Sequence, residues 1–112
     1  MNKSLNKLST VDQISFLERY IILHSIIYYH LNSNVISDKK YDEYAKYLEK
    51  LIKLNNKEFK ESQYYYAFTD YSSATGFDLY DKLNGYDKKY LMHLATKIMQ
   101  DSKKIKEKGR KQ

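Results

Sequence analysis

The sequence predicts a mainly α fold: an antiparallel helical hairpin followed by C-terminal helices, with a short β segment near 63–70. Three runs of apolar residues predict it. Ile14, Phe16, Leu17, Tyr20, Ile21, Ile22, Leu23, Ile26 and Ile27 cover more than one helical stripe, as in a helix buried on most sides. Tyr41, Tyr44, Ala45, Leu48, Leu51 and Ile52 repeat at i, i+3, i+4 and i+7, the stripe of a half-buried helix. Tyr90, Leu91, Leu94, Ala95, Ile98 and Met99 form a comparable face near the C-terminus.

The elements follow in order. Residues 1–10 read as a flexible lead-in, residues 11–102 as one helical domain and residues 103–112 as a basic tail. Thr10 and Gln13 have capping-box spacing for a helix over about 11–31. Asn32-Ser33-Asn34 stops it, since these residues bond their own backbone readily. Ser37 caps a second helix over about 38–54, and the short connection makes the pair antiparallel. Leu54-Asn55-Asn56-Lys57 breaks that pattern. The aromatic run 63–71 has strand propensity. Ser72 to Gly76 reads as a loop, and a short helix over about 77–83 ends at Asn84-Gly85. The last helix spans about 87–106.

Composition narrows the functional classes. A chain of 112 residues supports one domain with a modest core. With no cysteine there is no disulfide framework and no cysteine metal site, which suits a reducing cytoplasm. The first seven residues are too polar for a secretory signal, and the greasy run Tyr20–Tyr29 is too short to span a bilayer. A cytoplasmic protein without membrane contact is expected. The formal charge is +6, yet six cations against Glu107 in residues 103–112 supply +5 of it. Nucleic acid is therefore a partner only through the tail, and a solvated helix end is the commoner reading of such a run. Thirteen tyrosines suit cores, interfaces and ring stacking alike.

The chemistry concentrates where the two hairpin helices meet. Tyr28-Tyr29-His30 closes the first helix, and Asp38-Lys39-Lys40-Tyr41-Asp42 opens the second. Tyrosine rings, an imidazole and two carboxylates gathered there could grip a flat cationic ring bearing a hydroxylated sugar. An aromatic–cation contact is worth on the order of 1–2 kcal/mol when dry. Simpler readings exist for each residue. Asp38 suits the positive end of a helix, Asp42 can pair with Lys46, and His30 can be an ordinary capping histidine. His24 and His93 read as packing or solvent-facing residues, with nothing else at metal-ligand spacing. Gly76 before a helix start could let a phosphate approach the backbone, and a plain turn with Thr75 as N-cap is the alternative.

Over residues 12–55, Tyr29, His30, Asp38, Tyr41 and Asp42 give a pattern of Tyr-His, a short loop, then Asp-x-x-Tyr-Asp. It resembles the N-terminal Ia subdomain of bacterial NAD-dependent DNA ligases, including small stand-alone relatives often encoded by phages. The loop is one residue shorter and lacks the usual proline. The resemblance implies that these five residues bind NAD or nicotinamide mononucleotide. Tyr29 and Tyr41 would face the nicotinamide, Asp38 and Asp42 its charge and the ribose hydroxyls, and His30 the ribose or phosphate. No Lys-x-Asp-Gly is present to carry a lysyl-adenylate, so a non-catalytic module is expected. It would bind a nicotinamide or ADP-ribose-type nucleotide, with a phage accessory or anti-defence role conceivable. The alternative is an inhibitor of a host protein such as the host ligase, contacting it through Tyr64, Tyr65, Tyr66 and Tyr71.

Overall fold

A computed structural model describes residues 7–73 and 76–110, arranged as five α-helices and one 3-10 turn. Helix α1 (Thr10–Tyr29) starts one residue before expectation because Ser9, not Thr10, is its cap. The Ser9 hydroxyl accepts from the Asp12 amide at 3.2 Å, while the Gln13 side chain donates back to the Leu8 carbonyl at 3.0 Å. Ile14, Leu17, Ile21, Ile22, Ile26 and Ile27 are fully buried, so α1 is the central rod its apolar pattern predicts. Near its end the chain tightens: the Leu31 and Ser33 amides donate to the carbonyls of Ile26 and Ile27, and Asn32 takes a left-handed φ of 49°. Asparagine tolerates that conformation better than most residues.

Helix α2 (Asp38–Leu54) has the range read from sequence. Ser37 accepts from the Lys40 amide at 3.1 Å, and Ala45 and Leu48 are the buried residues of a stripe flanked by half-buried Tyr41, Tyr44, Tyr47, Leu51 and Ile52. One-sided burial fits its role as the outer partner of α1. Short helices α3 (Asn56–Phe59) and α4 (Tyr65–Phe68) and a 3-10 turn at Tyr80–Lys82 lead to α5 (Gly85–Arg110). Asn84 does not end the preceding turn alone; it caps α5, accepting from the Asp87 amide at 2.8 Å. Helix α1 packs against both α2 and α5.

Several expectations change, among them the short helix over 77–83, which is only the 3-10 turn Tyr80–Lys82, and the last helix, which begins two residues early at Gly85. The β segment near 63–70 is the helical turn α4, and no strand occurs among the described residues. Tyr64, Ala67 and Phe68 are buried at i, i+3 and i+4, so tertiary packing overrides the strand preference of an aromatic run. The basic tail is not a separate segment, since α5 continues through it to Arg110. The lead-in ends earlier, because Ser9 caps α1 and Thr10 opens it, and residues 1–6 lie outside the described residues. No helix among the described residues is long and apolar enough to cross a membrane.

Candidate functional site

The antiparallel hairpin brings the end of α1, the 30–37 connection and the start of α2 around one open cleft of about 500 Å³. That lies within the usual range for small-molecule sites, about 300–1,000 Å³. Tyr28, Tyr29 and Tyr41 contribute phenol rings, Val35 and Ile36 apolar wall, and Asn34 an amide. Asp38, Lys39 and Asp42 supply charge, and His24 and Ser25 come from the buried part of α1. Tyr28 and Tyr29 meet edge to face at 4.9 Å and are about half exposed, so their rings remain available.

Four of the five expected residues, Tyr29, Asp38, Tyr41 and Asp42, share this cleft. His30 does not line it. Its ring lies against Tyr80 at 4.6 Å, because the turn after α1 aims residue 30 toward the 3-10 turn. Asp42 also makes the pair foreseen with Lys46, at 3.0 Å between two largely exposed side chains. Such a pair is weak and screened, so it leaves Asp42 free to swing toward a ligand. Asp38 sits in the first turn of α2 and is exposed.

The deepest wall is the most constrained part. Tyr41 Oη and Ser25 Oγ are 2.8 Å apart. Burial raises the Tyr41 phenol above its ordinary value, the Ser25 hydrogen bond opposes that shift, and nearby Tyr29 adds to it. His24 is missing from the expected set. Burial, and then the positive charge of Lys40, push its imidazole down from 6.5 to about 4, so it is neutral at physiological pH. Its Nδ1 is buried without a hydrogen-bond partner among the described residues, and its ring lies 4.5 Å from Tyr20. The available signal was its place at i+3 from Ile21 and i–3 from Ile27, inside the buried face.

The tyrosine surface expected for a protein partner does not form. Tyr64 is buried, and half-buried Tyr65 packs edge-on against Phe59 at 4.8 Å. The half-buried Tyr71 donates its hydroxyl to the Ala45 carbonyl at 3.2 Å. Tyr66 is exposed, but its hydroxyl donates to Asp87 and accepts from the Asn84 amide at 3.3 Å. These rings mainly fasten the second half of the chain to the hairpin and α5. Thr75, the alternative cap, lies outside the described residues. No cluster of three or more histidine and carboxylate side chains able to hold a metal occurs among the described residues. No protein-family model matches the chain, and comparisons with curated proteins and with solved structures find no match.

Proposed function

We propose that the chain is a non-catalytic module whose cleft binds a nicotinamide nucleotide: NAD, nicotinamide mononucleotide or a related NAD-derived compound. The observation that carries this reading is the convergence of Tyr29, Tyr41, Asp38 and Asp42 on one cleft at the mouth of the hairpin. A pyridinium ring carries positive charge on a flat π surface. Phenol faces and carboxylates are the groups that complement it, and a ribose diol is suited to carboxylate oxygens. The resemblance to the ligase Ia subdomain over residues 12–55 supports the same ligand class, now with four residues rather than five. His30 has no part in it, and neutral His24 stands at the cleft instead.

Titration calorimetry with nicotinamide mononucleotide and NAD tests this, using the wild type, Asp38→Ala and Tyr41→Ala. Binding to the wild type that weakens in both variants is the expected result. Absence of heat with every nicotinamide and ADP-ribose compound would end the proposal. In a phage setting such a module would sequester an NAD-derived signal; rescue of infection by the wild type but not by Asp38→Ala checks that role.

A further inference from the structure

Gly76 does not line the cleft but lies directly beside two residues that do, Tyr41 and Ser25. It is buried, and a Cβ built on it would overlap the hydroxyl oxygen of Tyr41, closer than any real Cβ sits. The same carbon would lie 3.4 Å from Ser25 Oγ and 3.5 Å from Tyr41 Cζ, both ordinary contacts or nearly so. The conflict is therefore with one atom. No described glycine has a positive φ, so alanine could adopt the backbone conformation at this position. What the fold requires of residue 76 is an empty space.

We propose that Gly76 is a positioning residue for the cleft: its missing side chain admits the Tyr41 hydroxyl and thereby sets where the Tyr41 ring stands. The surrounding contacts make the ring the part that must give way. The Tyr71 hydroxyl ties the incoming chain to the Ala45 carbonyl at 3.2 Å, and the Ser73 amide donates to Glu49 Oε2 at 2.7 Å. Both anchors are on α2, the helix that carries Tyr41. Beyond Gly76, buried Leu79 fixes the outgoing side. A methyl group at residue 76 would drive the phenol off Ser25 and into the space a ligand needs. The phosphate approach considered for this glycine has no room, because the tyrosine hydroxyl already fills it.

The proposal rests on the nicotinamide reading only for its ligand measurement. Four chains test it: the wild type, Gly76→Ala, Tyr41→Phe and the double variant, each followed by thermal melting and by titration with nicotinamide mononucleotide. Gly76→Ala should melt lower than the wild type and bind on the order of tenfold more weakly, as expected for overpacking one contact. Tyr41→Phe deletes the overlapping oxygen, so the double variant should melt and bind like Tyr41→Phe alone. It should even melt slightly higher, because alanine restricts the unfolded chain. Should Gly76→Ala not fold, recovery in the double variant supports the assignment and continued failure overturns it. Equal damage in both backgrounds, or none in the wild type, also overturns it. If the wild type binds no nicotinamide compound, the ligand reading falls while the melting comparison still decides the role of Gly76.

Discussion

Replacing Glu18 with Gln removes a titrating carboxyl from the buried core, and its effect can be worked out in sign and size. Glu18 is fully buried on α1, where Oε1 accepts from the Tyr64 amide at 3.1 Å. Ser62 Oγ lies 2.8 Å from Glu18 Oε2 and 2.7 Å from the Phe59 carbonyl. Ser62 is the donor in both contacts and shares its one hydrogen between the two acceptors. Burial raises the Glu18 carboxyl from 4.5 to about 7, against the opposing pull of the Ser62 and Tyr64 bonds. The folded value exceeds the unfolded one, so the folded chain holds this proton more tightly. The contribution to stability is complete below pH 4.5, declines as pH rises and is gone above about pH 7. At about 1.4 kcal/mol per pH unit, the loss is roughly 3 kcal/mol.

Glutamine keeps the acceptor for Tyr64 and offers Ser62 a donor, without the titration. Glu18→Gln should therefore match the wild type near pH 4.5 and exceed it by roughly 1–3 kcal/mol at pH 8. Urea unfolding followed by circular dichroism across that range measures the gap directly, since other titrating groups cancel between the two proteins. A variant that is less stable at pH 8, or a gap that does not widen with pH, would refute the reasoning.

Other outcomes follow from the same contacts. His24 should titrate near pH 4 by NMR. Because its folded value lies below the unfolded one, its contribution is present above about pH 6.5 and is lost as pH falls toward 4; a midpoint at or above 6.5 contradicts this. Ser37→Ala removes the α2 cap and should cost about 1 kcal/mol in urea unfolding, with an unchanged midpoint counting against the cap. Deleting the chain after Ser102 should leave the melting temperature unchanged, because Lys103 to Lys106 are exposed; a clear drop would reveal packing there.

The hairpin was the most legible part of the chain. Ser37 followed by an unbroken i, i+3, i+4 stripe gave α2 its full range, since capping and periodicity agreed there. Helix α1 was legible in its burial but not in its cap, because Ser9 and Thr10 are both capable caps and the chain had to choose one. The α4 turn was unreadable for a different reason. Its direction is set by Glu18, which receives the Tyr64 amide from across the core at a separation of 46 residues. Glu18 itself gave one overlooked hint, lying at i+4 from Ile14 and i–4 from Ile22 within an otherwise apolar face. At the cleft, spacing alone favoured a plain helix cap and ion pair for the two aspartates, and the resemblance to the ligase subdomain singled out the four residues that α1 and α2 bring together. The resemblance misplaced His30, whose orientation depends on the turn at Asn32 and on Tyr80.

Because α1 is enclosed by α2 on one flank and α5 on another, the ligand-sized hollow cannot be excised with its hairpin. A fragment spanning residues 9–55 would lay bare isoleucine and leucine side chains that α5, α3 and the 3-10 turn now cover. Such a fragment would clump with itself before it met any nucleotide. Transplanting the motif into another scaffold therefore demands a substitute roof for the central rod, and the C-terminal half of this chain is that roof.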